Sequence, residues 1–101
     1  MALRVEAPPG TLERICVRYH VRRLALFGSV LREDFGPESD LDVLVEFESG
    51  HTPGFGFVRL QRELSGLLGY EVDLHTYQSL SRYFRDEVVE QSQPLYERVP
   101  Q

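Results

Sequence analysis

The chain has 101 residues, of which 42% are hydrophobic and 27% charged, a composition typical of a globular rather than a disordered protein. We expect one domain over residues 1–101, because this length leaves little room for a second. No apolar run approaches the roughly 20 residues that span a bilayer, and residues 1–10 lack a signal-peptide pattern, so the sequence predicts a cytoplasmic protein with no membrane partner. The net charge of −5 argues against nucleic acid as a direct substrate. The single cysteine excludes an internal disulfide.

The first half of the chain predicts a helix, a buried strand and a loop. Leu12, Ile15, Cys16 and Tyr19 have helical spacing and indicate a short amphipathic helix over residues 11–20, with Cys16 as a small core residue. The apolar run at 24–27 predicts a buried strand that ends at Gly28. The polar segment that follows, 31–39, predicts a turn or a short helix running into a loop.

The second half predicts two strands and two helices. Residues 40–48 and 70–77 alternate between apolar and polar side chains, as a strand with one face on the core does. Residues 57–68 have helical spacing and end at Gly69, a good C-cap, and a last helix runs from Leu80 and ends before Pro94. The fold class predicted is α+β, a small mixed β-sheet with helices on one face.

Three carboxylates fall on the polar face of this predicted sheet. Asp40 and Asp42 lie two residues apart, so on a strand their side chains point the same way, about 6.6–6.8 Å apart along the chain. Asp73 joins them if the two strands are neighbours. Carboxylates that lie so close repel each other unless cations compensate, and all-oxygen ligation suits Mg²⁺ or Mn²⁺. A pair of such ions can clamp the attacking and departing oxygens of a phosphoryl or nucleotidyl transfer.

A glycine and a serine follow the buried strand directly. Gly28 allows the backbone to approach a ligand closely, and the next amides, together with the Ser29 hydroxyl, can hold phosphate oxygens if they open a helix. Arg32, one turn later, can pair with a phosphate. Metal ions on one side and amides on the other would suit a nucleoside triphosphate.

These motifs together resemble a known family. Gly28-Ser29, then Asp40-x-Asp42 and an acid on a later strand, resemble the nucleotidyltransferase superfamily related to DNA polymerase beta. The sequence "GSVLRED…SDLDVLV" resembles that of its minimal nucleotidyltransferase (MNT) branch. Each motif alone is weak evidence, but their order and their positions on the predicted elements make a strong signal over nearly the whole chain. The resemblance implies the nucleotidyltransferase fold.

The resemblance also implies roles for individual residues. Gly28 and Ser29 would bind the triphosphate of ATP, and Arg32 matches an arginine common in the branch. Asp40 and Asp42 would hold two Mg²⁺ ions, with Mn²⁺ as an alternative. Asp73 would complete the site of the ion that activates the nucleophile, so that the three acids are both metal ligands and catalytic residues. The branch often has Ala and Gly beside the arginine, where this chain has Leu31 and Glu33.

The implied reaction is attack of an acceptor hydroxyl on the α-phosphate of ATP, with release of pyrophosphate. Members of the MNT branch are commonly paired with a helical HEPN ribonuclease toxin, and this leaves two hypotheses. In the first, the chain is an enzyme that transfers AMP to a hydroxyl on that partner, as an antitoxin. In the second, it is a non-catalytic module that neutralises the partner by contact. Both imply a homo- or hetero-oligomer, because so short a chain is expected to take its acceptor from a partner or another subunit.

Three histidines stay open to more than one interpretation. His20 and His51 are most simply surface residues. His75 shares the predicted face of Asp73, so it either lines the pocket or is a solvated residue at the edge of the sheet.

Overall fold

The computed structural model describes residues 7–32, 36, 38–51 and 54–98, and a four-stranded sheet forms its centre. The helices are α1 (Pro9–Arg18), α2 (Gly56–Leu68) and α3 (Arg85–Gln91). The strands are β1 (Val21–Phe27), β2 (Leu41–Phe47), β3 (Val72–Thr76) and β4 (Gln93–Glu97). Two short 3-10 turns, Gly28–Leu31 and Tyr77–Ser79, follow β1 and β3. None of the helices in these described ranges combines the length and the apolar character that crossing a membrane requires.

The main core lies between α1, α2 and one face of the sheet. Alternate residues of the strands and one stripe of each helix are buried there, as the spacing predicts. The buried residues include Leu12, Ile15, Cys16, Leu24, Leu26, Val43, Val45, Leu60, Leu64, Val72 and Leu74. Cys16 is a core residue, as predicted, and burial raises the pKa of its thiol to about 12.

The strand order is β3-β2-β1-β4, which makes the sheet mixed. β1 is antiparallel to both β2 and β4, whereas β2 and β3 are parallel, because α2 crosses from the end of one to the start of the other. Asp42 pairs with Phe27 on one side and with Asp73 on the other. The predicted α+β class with a small mixed sheet is confirmed.

The outer edge of β3 is closed by side chains of α2. The backbone N–H of Val72 donates to Ser65 Oγ at 3.0 Å, and the N–H of Leu74 donates to Gln61 Oε1 at 3.1 Å. An edge strand normally leaves such groups open to another strand. Here a helix supplies the acceptors instead.

The strand β4 was not predicted. Its sequence contains Pro94, which lacks an N–H and usually argues against a strand. In the structure Pro94 pairs with Ala25 at the edge of the sheet, where a missing donor is tolerated, and the pairing shifts register between Leu24 and Ala25. The prediction that the chain's last element is a helix is therefore wrong.

The last helix also lies elsewhere than predicted. Its residues Val88 and Gln91 line a cavity together with Phe27 and Asp42. Phe27 and Asp42 alternate along their strands with the core residues Leu26 and Val43, so Phe27 and Asp42 face the opposite side of the sheet. The prediction of helices on one face holds for α1 and α2, whereas α3 lies beside the second face.

Candidate functional site

The turn after β1 brings the backbone against an acidic side chain. Gly28 has a φ of 76° and opens the turn Gly28–Leu31. A Cβ at this position would lie 3.3 Å from Cγ of Asp42 and closer to its Oδ2 than van der Waals contact allows. Both the left-handed φ and the nearby carboxylate therefore require a residue without a side chain. The group that Gly28 approaches is the Asp42 side chain, and its predicted approach to a ligand stays a prediction.

Ser29 and Asp40 lie next to each other at the entrance to β2. The Ser29 hydroxyl donates a long hydrogen bond, 3.4 Å, to the backbone carbonyl of Asp40. Asp40 is exposed and precedes the strand, which begins at Leu41 rather than at Asp40 as predicted. The contact ties the turn after β1 to the start of β2.

Asp42, Asp73 and His75 form one group. The parallel pairing of β2 with β3 places Asp42 level with Asp73. His75 Nε2 lies 3.1 Å from Asp73 Oδ2 and 3.5 Å from Asp42 Oδ1. One ligand atom from each residue lies within 4.8 Å of the others, a spacing that can hold a metal ion. Asp40, predicted to share the ions, is not a member of this group.

The electrostatics of Asp42 are those of a partly buried carboxylate with other acids nearby. Burial raises its pKa above the usual value, and the charges of Asp73 and Asp40 raise it further. His75 acts in the opposite direction and lowers the pKa of Asp42, but does not cancel the other effects. A bound cation would supply the compensation that the protein groups leave incomplete.

The donors fit a divalent cation. Carboxylate oxygens are the usual ligands of Mg²⁺ and Mn²⁺. In addition, the Nε2 atom of His75 is buried and makes no hydrogen bond to any described residue, although it faces two carboxylates. The rings of Phe27 and His75 make a T-shaped contact, with ring centroids 5.3 Å apart and planes at 68°. His75 is a partly exposed residue of the edge strand β3 that lies against both acids, so it combines features of the two alternatives that the sequence left open.

A cavity of about 460 Å³ adjoins this group. Gly28, Arg32 and Asp42 line it, which brings two of the three predicted phosphate-binding residues beside a predicted metal ligand; Ser29 is not among the lining residues. Its volume lies within the usual range for small-molecule sites. Val88 and Gln91 of α3 also line it, and sequence reasoning missed both, since no local pattern shows that this helix turns back toward β1.

A second histidine-containing group lies far along the sheet from the acids. His20 and His51 are exposed, as predicted, and their rings stack with centroids 4.0 Å apart. With Glu48 they form another group that could hold a metal ion. Glu48 also lines a larger cavity of about 790 Å³, but none of Asp40, Asp42 and Asp73 does. We place the candidate site at the smaller cavity because Gly28 and Arg32, predicted to bind phosphate, meet Asp42 there.

Asp42→Asn is expected to raise the melting temperature of the metal-free protein at neutral pH. Because the folded state raises the pKa of Asp42, it favours the protonated carboxyl group over the ionised carboxylate. The stabilisation from the protonated group is present below the unfolded-state pKa and is lost as pH rises through the folded-state pKa. Asparagine avoids that loss. The gain should therefore shrink as pH falls toward about 4, the ordinary pKa of aspartate.

Thermal unfolding in a chelator, followed from acid to neutral pH, measures this difference. Glu46→Gln is the matched control, since Glu46 is an acid on the same face of β2, four residues beyond Asp42 along the strand. A lower melting temperature for Asp42→Asn at neutral pH would show instead that the carboxylate stabilises the folded state.

Comparison with known proteins identifies the family. Residues 10–95 match the model of the nucleotidyltransferase domain. The chain is 37% identical over 78 residues to a candidate protein adenylyltransferase of Methanocaldococcus jannaschii, an alignment covering 77% of this chain and 83% of that protein.

Solved structures agree with this result. The structure of a candidate minimal nucleotidyltransferase matches with 37% identity and a TM-score of 0.70, covering 85% of this chain and 87% of that one. A structure of a tri-AMPylated HEPN toxin of Shewanella oneidensis in complex with an MNT antitoxin matches with 21% identity and a TM-score of 0.55, covering 88% of this chain and 69% of that one, and shows a shared fold. The chain therefore belongs to the nucleotidyltransferase family of enzymes, as its Gly-Ser and Asp-x-Asp motifs predicted.

Proposed function

We propose that this chain, as a single nucleotidyltransferase domain, transfers AMP from ATP to a hydroxyl group of a helical HEPN-type partner protein and thereby acts as its antitoxin. The observation that carries the proposal is the pairing of β2 with β3, which sets Asp42 level with Asp73 beside the Gly28 turn. The assignment of the M. jannaschii relative as a protein adenylyltransferase supports the reaction. The partner class is supported by the shared fold with a chain from a HEPN–MNT complex.

The proposed reaction forms one bond and breaks one. The acceptor hydroxyl oxygen attacks the α-phosphorus, a new O–P bond forms, and the bond from the α-phosphorus to the bridging oxygen breaks. Pyrophosphate leaves with that electron pair, and Asp73 accepts the hydroxyl proton. Two Mg²⁺ ions, or Mn²⁺ in their place, would lower the pKa of the hydroxyl and neutralise phosphate charge when bound.

The residues divide between the triphosphate and the reacting atoms. Gly28 and Ser29 would hold phosphate oxygens with their amides and the serine hydroxyl, and Arg32 would pair with a phosphate in the cavity that it lines. Asp40 and Asp42 would hold the ions that bind the triphosphate. The Asp73 side chain is 56% exposed, against 27% for Asp42, so it is the carboxylate that an incoming acceptor can reach.

The test is to incubate the purified chain with a candidate HEPN partner, ATP and Mg²⁺, and to weigh the partner by mass spectrometry. The proposal predicts the added mass of one AMP group per modified hydroxyl. Asp42→Asn should remove the addition without preventing association of the two proteins, which size-exclusion chromatography measures. Glu46→Gln, on the same strand face, should behave as wild type.

The same variants separate the enzyme from a binding module. If Asp42→Asn neutralises the toxin in cells as well as wild type does, and no AMP is added to the partner, contact alone is the mechanism. The intact pair of Asp42 and Asp73 favours the enzyme.

A further inference from the structure

We propose that His75 is a metal ligand of this site. Its Nε2 would complete, with Asp42 and Asp73, a set of one nitrogen and two carboxylate oxygens. The site would then bind a transition-metal dication such as Mn²⁺ or Co²⁺ in preference to Mg²⁺. This inference rests on the proposed function and deepens it, because it adds a ligand to the three predicted acids and names the class of ion.

The spacing of the donor atoms is that of ligands sharing one ion. Two ligands bound at about 2.1 Å, at an angle between 90° and the tetrahedral value, lie roughly 3.0–3.4 Å apart. The observed separations are 3.1 Å from Nε2 to Asp73 Oδ2 and 3.5 Å from Nε2 to Asp42 Oδ1. The first separation lies within this range and the second just above it, and all three donor atoms lie within 4.8 Å of one another, so side-chain adjustments would let them converge on a cation.

The orientation of the imidazole supports ligation over hydrogen bonding. Nε2 is buried and, despite its two nearby carboxylates, makes no hydrogen bond within the part of the chain that the structure describes. Both carboxylates lie within ion-pair distance of this nitrogen, so a cation bound between them could take Nε2 as a further ligand. The edge-on contact with Phe27 and the position two residues after Asp73 on β3 hold the ring on the side of the acids.

A nitrogen donor changes which ions the site prefers. Mg²⁺ prefers oxygen ligands, whereas imidazole suits first-row transition metals. The resemblance to the family implied the three acids Asp40, Asp42 and Asp73 as ligands, all of them oxygen donors. His75 lies in the group of converging atoms with Asp42 and Asp73 and adds a nitrogen donor to it.

The competing interpretation is that His75 compensates charge as an imidazolium ion. The two interpretations predict opposite results. Removal of a ligand lowers the affinity for transition metals, whereas removal of a positive charge beside two carboxylates raises the affinity for every dication.

The experiment compares the full chain with its His75→Asn variant, each also carrying His51→Gln. That second substitution breaks the group of His20, Glu48 and His51, which could otherwise bind the same ions. Titration with Co²⁺, followed by its visible absorption, and calorimetry with Mn²⁺ and Mg²⁺ measure the affinities. We expect His75→Asn to weaken Co²⁺ and Mn²⁺ binding by roughly tenfold or more, and Mg²⁺ binding by less than about threefold.

A spectroscopic signature completes the test. Pulsed electron paramagnetic resonance of the Mn²⁺-loaded protein should show nitrogen hyperfine coupling that His75→Asn removes. His75→Leu, which cannot ligate or hydrogen-bond, should give the same result, and metal-free melting temperatures show that both variants fold. Retained nitrogen coupling, or unchanged or higher Co²⁺ affinity in the variants, overturns the proposal.

These readouts need neither nucleotide nor partner, so they are separate from the test of AMP transfer. If Asp42→Asn abolishes Co²⁺ binding and His75→Asn does not, the metal site stands and the role of His75 fails. If the wild-type chain binds none of the three ions, the ligand assignment fails together with the metal site of the proposed function.

Discussion

Gly28→Ala is expected to abolish metal-dependent nucleotide binding, whereas Gly69→Ala, at the end of α2, is expected to leave it intact. Both glycines have a φ of 76°, so both substitutions force alanine into the left-handed region, which costs about 1–2 kcal/mol of stability. Only at Gly28 does the added Cβ meet another group, the carboxylate of Asp42. At Gly69 nothing lies within 4 Å of it.

The physical reason is that the Asp42 carboxylate must move away from an alanine at position 28. Its displacement removes a ligand oxygen from the group with Asp73 and His75, so the affinity for a divalent ion should fall by roughly tenfold or more, as expected when a metal ligand is misplaced. Calorimetric titration with Mg²⁺ and a nonhydrolysable ATP analogue measures the loss. Urea unfolding measures the change in stability, which should be similar for the two variants.

A double substitution checks the cause. In an Asp42→Ala background the nearest remaining atom of residue 42, its Cβ, would lie 3.5 Å from the new Cβ, an ordinary contact. Any part of the stability loss at Gly28 that exceeds the loss at Gly69 should therefore disappear. If Gly28→Ala binds the nucleotide as tightly as Gly69→Ala does, Asp42 is not positioned by this glycine for binding.

Asp73→Asn is expected to stop AMP transfer while sparing ATP binding. Its side chain is the more exposed of the two paired carboxylates, which makes it the more accessible to an acceptor. A group that acts on the nucleophile contributes mainly in the transition state, so its loss lowers the turnover rate and not the affinity for nucleotide. A loss of several kcal/mol of transition-state stabilisation corresponds to a rate lower by about a thousandfold.

Single-turnover transfer to the HEPN-type partner and calorimetric ATP binding measure the two effects separately. Glu71→Gln is the matched control, because Glu71 is an exposed acid directly before β3. Equal losses of ATP affinity in Asp73→Asn and Asp42→Asn would assign both carboxylates to nucleotide binding and leave no separate role for Asp73.

The alternation of apolar and polar residues predicted β2 and β3 well, because one face of each strand packs on the core and a slip by one residue would expose it. The proximity of Asp42 and Asp73 could be predicted only on condition that the two strands are neighbours. Single-strand patterns do not contain the pairing partner, and the structure supplies it through the α2 crossover.

What the sequence did not predict depends on tertiary contacts. β1 starts at Val21 and includes Arg22 and Arg23. These charged residues are not typical of a buried strand, so the start of β1 was not predicted. In the structure, Arg23 forms an ion pair with Glu97 of β4. The strand β4 contains a proline that only an edge position accommodates. The position of α3 beside Asp42 likewise follows from long-range packing, so Val88 and Gln91 had no local signal.

Within the candidate site, the order of the motifs predicted that the glycine turn and the arginine lie near an acid. It did not predict which residues form the group around that acid. Gly28, Arg32 and Asp42 line one cavity, in agreement with the resemblance to the family. Asp40 directly precedes the strand and is not part of the group formed by Asp42, Asp73 and His75, although its charge still acts on Asp42. His75 entered the group because it shares a face with Asp73 on a strand whose partner was unknown.

The helix-bonded edge of β3 limits how another protein can approach. Val72 and Leu74 already donate their outward N–H groups to Ser65 and Gln61, so a strand pairing there would have to displace two side-chain acceptors. Recognition by β-augmentation, in which a peptide extends a sheet, is therefore blocked on the side of the sheet that holds Asp73. A protein that approaches Asp73 therefore cannot do so by adding a strand to this edge, and the same closure protects the edge from pairing with a second copy of the chain.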